Sequence, residues 1–582
     1  MQTIATYHIH LKGLVQGVGM RPFVARLADQ YQVNGWISNS TDGVHIEITS
    51  SEETAKKFLQ SILKLAPPNA IIHQHEMKNC GFKPFCCFEI LESNNHQPTS
   101  ILLTPDISIC DHCRTELYSE TSRRFRYPFI TCTECGPRYS ISLSTPYDRA
   151  NTSMSSFKMC NSCEDEYKSI GDRRFHSQTN SCQQCGITML LFEKGKEHVD
   201  LKQNEIVPFL QERLMEGKIV AVKGIGGYVL LCDSTNATSL KSLRQRKLRP
   251  SKPFALLFKD ISQVESFANI SEEEKDCISS ASTPILLLNR KPNASICFED
   301  IAPGLSQIGC MLPGSPLLEL IVSSLSHPLV CTSANTSDSP IIFRNDEALR
   351  QLNSIADLIL IHDRDITNAQ DDSVIRICSQ SKQKIIIRRA RGLAPNYLGY
   401  SQKNQQSILA TGALMKSSFT LQINNKTFVS QYLGNTSSIE AQETYRRSLE
   451  VLSGLLQFYP DRIIADKHPE YFSAELASEI SLASQKPITK VQHHKAHFAA
   501  ILAEHDLFDV EQTVIGVIWD GLGLGDDGQI WGSEFFKFEN KEIKRCYHFD
   551  YFPLLLNDKM AKEPRLSALA ICDDIPESDE IL

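Results

Sequence analysis

Four Cys-x-x-Cys pairs lie between residues 110 and 185, and their separations mirror each other. Cys110/Cys113 and Cys132/Cys135 enclose 18 residues, Cys160/Cys163 and Cys182/Cys185 enclose another 18, and 24 residues part the two sets. Two thiolates two residues apart can bite one tetrahedral Zn²⁺, and two such knuckles complete a Cys₄ shell. Eight cysteines therefore supply two closed, structural zinc sites with no position left for a substrate. Spacing alone leaves open whether the knuckles join in sequence order or interleave.

Three further groups carry chemistry. In Gln16-Gly17-Val18-Gly19-Met20-Arg21, glycines let successive backbone N–H groups turn toward one point. A helix N-terminus adds positive potential, and Arg21 supplies a bidentate fork. A small phosphate or carboxylate fits that cradle, and Asn39 is placed to orient a water. Downstream, Lys223 opens a glycine loop, Lys247, Arg249 and Lys252 add three cations, and Ser333 and Asn335 offer polar tips after a strand. Cations beside glycines suit an anionic ligand such as a nucleoside triphosphate. Last, His493 and His497 stand at i and i+4, where a helix presents both imidazoles on one face for a metal, Fe or Zn. That pair is an incomplete shell, needing a carboxylate from elsewhere. The segment Asp520-Gly521-Leu522-Gly523 after a strand suits close phosphate approach, with Asp520 holding hydrated Mg²⁺.

The elements that must position these groups read as follows. Alternation over Tyr7 to Val15 and Val44 to Ile48 predicts strands, while Pro22 to Tyr31 and Glu52 to Leu65 have helical periodicity. Phe85 to Leu91 closes this first unit as a strand, and the polar stretch Glu92 to Thr99 reads as a linker. From Ile206, helical and β-branched segments alternate, with strands at 219–222, 254–258, 285–288, 329–330 and 358–361. This α/β domain ends near Arg388-Arg389-Ala390-Arg391. Ser401 to Ser407 is the next boundary, followed by a hairpin over Phe419–Gln431 and a buried strand over Thr513–Trp519.

Bulk composition narrows the class. The 582 residues suit about four domains of roughly 150 residues each, and 41% apolar with 22% charged residues is ordinary for globular cores. A net charge of −8 argues against nucleic acid as the main partner. No run of about 18 apolar residues reads as a membrane span, and the N-terminus lacks a basic start leading into an apolar stretch. Eleven scattered cysteines outside the four pairs suit a reducing compartment. The expectation is a cytoplasmic protein with no membrane contact.

The Gln-Gly-Val-Gly loop with Arg21-Pro22-Phe23 and then Gly35-Trp36 resembles the acylphosphatases, small ferredoxin-like enzymes that hydrolyse acyl phosphates. The likeness implies that Arg21 grips phosphate and Asn39 orients the attacking water. The trio Lys247-x-Arg249, Lys252-Pro253-Phe254 and Ser333-x-Asn335 resembles the YrdC family, whose domains bind ATP and make a carbamoyl adenylate. The order of these parts resembles the hydrogenase maturation carbamoyltransferases, the HypF family, along essentially the whole chain. Arg124 to Phe129, Cys135 to Tyr139, Asp172 to His176, His362 to Ile366, Asp371 to Val374 and Arg389 to Gly392 strengthen the match.

The resemblance implies a multidomain α+β and α/β fold. A ferredoxin-like acylphosphatase domain (1–92) precedes a double Cys₄ zinc-finger region (105–190). A YrdC-like domain (200–392) follows, and then an incomplete, actin-like (ASKHA-type) transferase domain (405–582). It also implies a relay from carbamoyl phosphate through carbamoyl adenylate, with ATP/Mg²⁺ as substrate. The group ends on the C-terminal cysteine of a HypE-family partner.

Two departures stand against full activity. Family members continue past Glu563-Pro564-Arg565 into a further lobe that supplies another metal-ligating Asp. Gly314-Ser315, Leu318-Glu319, Ala369, Lys495 and Leu522 also depart from the family pattern. The alternatives are a truncated relative with acylphosphatase and adenylation activity only, or a non-catalytic zinc-stabilised docking module.

Overall fold

The computed structural model describes residues 4–93, 102–198, 200–292, 296–335, 339–398, 406–423, 426–556 and 559–572. Residues 94–99 and 401–405 of the two linker signals, and the 424–425 hairpin turn, lie outside the described residues. The chain gathers into two compact units, Met1–Gly399 with Met415–Tyr459, and Tyr400–Leu414 with Pro460–Leu582.

The first unit opens with β1 (Ile4–Leu14), α1 (Met20–Tyr31), β2 (Asn34–Ser40), β3 (Gly43–Ser51), α2 (Glu52–Leu65), β4 (Ile71–Asn79) and β5 (Phe88–Ile90). Spatial order in the sheet is β4-β1-β3-β2-β5. Ile9, Leu11, Ile37, Ile46 and Ile48 pack with Val24, Leu27, Phe58 and Ile62 of the helices. Strand period 2 therefore sends His8, His10 and His45 to the opposite face. Gly19, at φ 83°, caps α1 in the left-handed region that a side chain there would strain. Ser51 caps α2 by accepting from Thr54 N, with Glu52 and Glu53 in the first turn favouring the helix dipole.

In the cysteine region two short helices, α3 (Asp111–Tyr118) and α4 (Asn161–Lys168), each start directly after the first cysteine of a set. Beyond each, a left-handed residue, Arg126 or His176, turns the chain back so that its N–H reaches the carbonyl of Leu117 or Tyr167. The duplicated spacing is thus a duplicated fold.

Strands β6 (Met189–Glu193), β7 (Lys196–Glu197), β8 (Val220–Lys223), β9 (Tyr228–Asp233), β10 (Ala255–Leu257) and β11 (Ala268–Asn269) belong to a twelve-stranded sheet. It is completed by β12 (Ile285–Arg290), β13 (Gln307–Met311), β14 (Leu329–Ser333), β15 (Leu358–His362), β16 (Val374–Ile377) and β17 (Lys384–Arg388). Its order is β17-β16-β12-β13-β10-β14-β9-β8-β15-β6-β7, with β11 paired to β12. Both faces are covered. Val220, Val222, Leu358 and Leu360 pack with helices Gln203–Met215 and Pro316–Val322 and with Cys113, Leu117 and Phe129 of the cysteine region. Ala221, Leu230 and Ile359 face a second core around helix Ala237–Arg246. Strands buried on both faces explain the unbroken apolar runs in sequence.

Residues 415–459 add the predicted hairpin, Thr420–Ile423 with Lys426–Val429, and helix Ile439–Leu456. The second unit has parallel strands Ile408–Ala410, Arg462–Asp466 and Ile488–Val491, followed by helix His493–Glu504. An antiparallel set, Val514–Leu524, Ile530–Glu539 and Glu542–His548, packs Trp531, Phe536 and Phe538 against Phe498 and Leu502.

The strand expected to be buried over 513–519 forms over Val514–Leu524, but only one side of it is packed. Gly516 lies against the Phe498 ring, while Ile515, Val517 and Trp519 point outward, Trp519 at 72% exposure. An apolar run does not reveal whether one face or both are covered. Among the described residues no helix is long and apolar enough to cross a membrane.

Candidate functional site

Arg21 and Asn39 line one pocket together with Gln16, Gly17 and Gly19. Gln16 Nε2 donates to the carbonyls of Ser40 (2.7 Å) and Gly43 (3.0 Å), tying the glycine loop to the β2–β3 turn beside Asn39. The facing wall comes from the cysteine region: Arg138, Tyr147, His176, Ser177 and Gln178. Arg138 Nε donates to Gly17 O at 2.5 Å and its guanidinium lies over the Tyr147 ring.

Arg21 already holds an anion. Its Nη2 is 2.7 Å from Asp148 Oδ1, and Ser93 Oγ donates to the other carboxylate oxygen. Burial, then the nearby Arg21 charge, pushes His176 down to about 4, so a neutral imidazole faces the pocket at neutral pH. Tyr147 and Asp148 were not marked by sequence, and His176 only as the end of the Asp172 to His176 segment. All three lie more than 100 residues from Arg21, and no spacing links them to it.

The eight cysteines join in sequence order. Cys110, Cys113, Cys132 and Cys135 form one cluster and Cys160, Cys163, Cys182 and Cys185 the other. Sulfur–sulfur separations are 3.5 to 3.8 Å in the first and 3.6 to 3.8 Å in the second. A tetrahedral Zn²⁺ with Zn–S near 2.3 Å sets sulfurs about 3.8 Å apart, so both clusters fit structural zinc.

Around them the two fingers exchange contacts. Arg123 donates to Cys163 Sγ (3.1 Å) and Arg173 to Cys113 Sγ (3.2 Å). Arg124 pairs with Glu166 (2.5 Å) and Arg174 with Glu116 (2.7 Å). Burial alone would raise Glu166, yet hydrogen bonds from Arg124 and Arg123 hold it down to about 2.

At one end of the twelve-stranded sheet, Lys247 Nζ donates to Ser333 O and Asn335 Oδ1 (both 2.7 Å) and to Asn335 O, while Ser333 Oγ donates to Asn335 Oδ1 (2.9 Å). Arg249 reaches Thr332 Oγ1 at 3.4 Å. These groups, predicted from separate loops, meet. Burial first, and then the Arg249 charge, push Lys247 down to about 7; burial pushes Arg249 down to about 10.

Lys252 is exposed and contributes its carbonyl to Arg249. Lys223 stands at the same end of the sheet but turns its ammonium to the carbonyls of His362 (3.0 Å) and Arg364 (2.9 Å); burial pushes it down to about 8. Asp371 and Asp372, paired with Arg388 and Arg391 at 2.6 and 2.7 Å, stand nearby: Asp372 and Arg391 line a cavity with Gly224, Gly226 and Gly227.

In the second unit, helix His493–Glu504 presents His493 and His497 on one face as expected, with ring centroids 4.9 Å apart. The carboxylate that the histidine pair lacks is supplied by Asp520, whose Oδ2 is 3.2 Å from His493 Nε2 and 3.6 Å from His497 Nε2. Strand Val514–Leu524 carries it there. Gly523 clears space for the helix, since a Cβ would lie 2.6 Å from the His494 ring, whereas Gly521 is open.

Asp466, at the end of strand Arg462–Asp466, accepts from His493 Nδ1 at 2.6 Å. Hydrogen bonds to Asp466 and then Asp520 push His493 up to about 9 and hold Asp520 well below the carboxylate range. Two imidazoles and a carboxylate, with Asp466 orienting one imidazole, fit a divalent transition metal.

A five-stranded sheet with its Arg21 pocket, paired Cys₄ fingers, a basic strand end and a His₂Asp cluster make a multidomain α/β protein with several distinct sites. Family models match accordingly. "Acylphosphatase" covers residues 7–90, "HypF finger" 109–142 and 159–192, and "Telomere recombination" 212–390. "HypF Kae1-like domain" covers 403–504 and "Carbamoyltransferase, Kae1-like Domain, second subdomain" 516–581.

The chain is 42% identical to the carbamoyltransferase HypF of Synechocystis sp. over 98% of its own length and 73% of the relative's. It is 38% identical to carbamoyltransferase HypF2 of Cupriavidus necator, over 98% and 72%. A full-length HypF structure in a phosphate- and nucleotide-bound form aligns with TM-score 0.93 at 35% identity, covering 99% of this chain and 74% of that one. The HypF structure from T. kodakarensis aligns at 0.91 with 37% identity, covering 99% and 73%. The chain belongs to the carbamoyltransferase HypF family.

Proposed function

We propose that this protein uses carbamoyl phosphate and ATP to form carbamoyl adenylate and passes the carbamoyl group to the C-terminal cysteine of a HypE-family partner. Domains over 1–92, 105–190, 200–392 and 405–582 divide the work. In the first step water cleaves the acyl phosphate to carbamate and phosphate, with Arg21 and the loop N–H groups on the phosphoryl oxygens and Asn39 orienting the water.

Carbamate oxygen then attacks the α-phosphorus of ATP, which enters with Mg²⁺, and pyrophosphate leaves. Lys223, Lys247, Arg249, Lys252, Ser333 and Asn335 bind the nucleotide and compensate its charge. Last, the partner's thiolate attacks the carbamoyl carbon and AMP leaves, giving a thiocarboxamide.

Asp520, His493 and His497 would hold an Fe or Zn ion, which when bound polarises the carbamoyl oxygen. Gly521, where an added side chain would meet nothing, keeps the adjacent backbone open to a nucleotide, while Gly523 lets the strand approach His494. Carbamate is labile in water, so enclosure favours the relay. The observation that carries this reading is the Arg21–Asn39 pocket: its facing wall belongs to the cysteine region, whose core is continuous with one face of the twelve-stranded sheet.

Carbamoyl-phosphate-dependent ATP–pyrophosphate exchange by the purified, zinc-replete chain tests it. Exchange is expected and should vanish in Arg21→Ala. No exchange and no phosphate release in the parent chain would overturn the assignment.

A further inference from the structure

On the face of the first sheet turned away from α1 and α2, His10 of β1 and His45 of β3 are direct cross-strand partners. Their rings stack with centroids 4.0 Å apart. The β2–β3 turn brings Asp42 to their tips. Asp42 Oδ1 is 2.8 Å from His45 Nε2 and Oδ2 is 3.5 Å from His10 Nε2. One ligand atom from each of the three residues lies within 4.8 Å of the others. His8, two residues along β1, places Nε2 3.0 Å from His45 Nδ1.

We infer that His10, Asp42 and His45 form a binding site for a borderline divalent ion of the Zn²⁺ or Ni²⁺ kind, separate from the Cys₄ clusters and from His493, His497 and Asp520. Tetrahedral ligands at about 2.0 to 2.1 Å from an ion stand about 3.3 Å apart. The separations from Asp42, 2.8 Å to His45 and 3.5 Å to His10, already bracket that spacing.

The backbone is already fixed. β1 and β3 are paired from Ile4↔Ser51 to Leu11↔Val44, and Gln16 holds the turn through Ser40 O and Gly43 O. Without an ion, His45 Nε2–H donates to Asp42 Oδ1 at 2.8 Å. An entering ion takes the place of that proton, and His45 Nδ1–H can then donate to His8 Nε2 as the outer hydrogen bond that orients the ligand. Side-chain exposures of 11, 19 and 21% for His10, His45 and Asp42 leave an entry path. Two imidazoles and one carboxylate select Zn²⁺, Ni²⁺ or Cu²⁺ over Mg²⁺ or Ca²⁺.

Calorimetric titration of Ni²⁺ into the zinc-replete full chain tests this, using His497→Ala to silence the other histidine cluster. The His497→Ala chain is expected to bind one Ni²⁺. Adding His45→Ala or Asp42→Asn should remove that equivalent. Asp42→Asn preserves volume and decides the matter if the His45 variant fails to fold. Unchanged stoichiometry in Asp42→Asn, or no Ni²⁺ bound by the His497→Ala chain, overturns the site.

Discussion

Asp148→Asn should make the protein a better acyl-phosphate binder. In the structure the Asp148 carboxylate sits 2.7 Å from Arg21 Nη2, on the guanidinium that would grip the substrate phosphate. An entering phosphate must displace it. Hydrogen bonds to charged groups contribute about 1.5–3 kcal/mol. With Asp148 at 24% and Arg21 at 9% side-chain exposure, solvent screening favours the lower end, about 1.5 kcal/mol.

Replacing the carboxylate by an isosteric amide leaves the shape and removes the charge. The competition weakens by about tenfold, at 1.4 kcal/mol per factor of ten. KM for carbamoyl phosphate should therefore fall about tenfold in a steady-state phosphate-release assay, with kcat unchanged, and inhibition by inorganic phosphate should tighten equally. An unchanged KM, or a KM that rises as kcat drops, would mean that Asp148 orients Arg21 for catalysis instead of competing for it, and the argument would fail.

Three further outcomes can be checked. Glu166→Gln deprives Arg124, whose side chain is 1% exposed, of its charged partner; stability of the finger region should drop by about 3 kcal/mol, read as faster zinc release to a chelator. Lys247→Met removes the ammonium that gathers Ser333 O, Asn335 O and Asn335 Oδ1, and ATP–pyrophosphate exchange should fall about 10- to 100-fold. His493, raised to about 9 by Asp466 and Asp520, stabilises the metal-free fold most fully below the ordinary imidazole value of 6.5, and that contribution fades as pH rises through 9. A metal entering below pH 9 must therefore expel this proton. Calorimetry in buffers of different ionisation enthalpy should detect about one proton released per ion, and none in His493→Ala.

Much of the front of the molecule is legible from local sequence. The glycine loop before Arg21 and the Cys-x-x-Cys knuckles each act over a few residues, so type and spacing carry them. What is lost is whatever depends on distant packing. Equal intervals of 18 residues leave the pairing of the four knuckles open, and only the fold joins Cys110 to Cys132 and Cys135. Tyr147, Asp148 and His176 become part of the Arg21 pocket because Arg138 docks on Gly17. Asp466 and Asp520 meet His493 because a strand end and a neighbouring sheet converge on a helix start. The exposed side of Val514–Leu524 was misread for the same reason, since burial belongs to neighbours and not to the strand.

The swapped arginines of the cysteine region tie the fortunes of its two ions together. A finger that gains Zn²⁺ also fixes the helix and loop from which Arg123 or Arg173 reaches across to the other's sulfur. The second ion then meets a wall already in place, so its uptake should be stronger than the first. Half-loaded molecules should consequently be scarce, and zinc shortage would reduce the number of intact proteins without leaving a population of partly loosened ones.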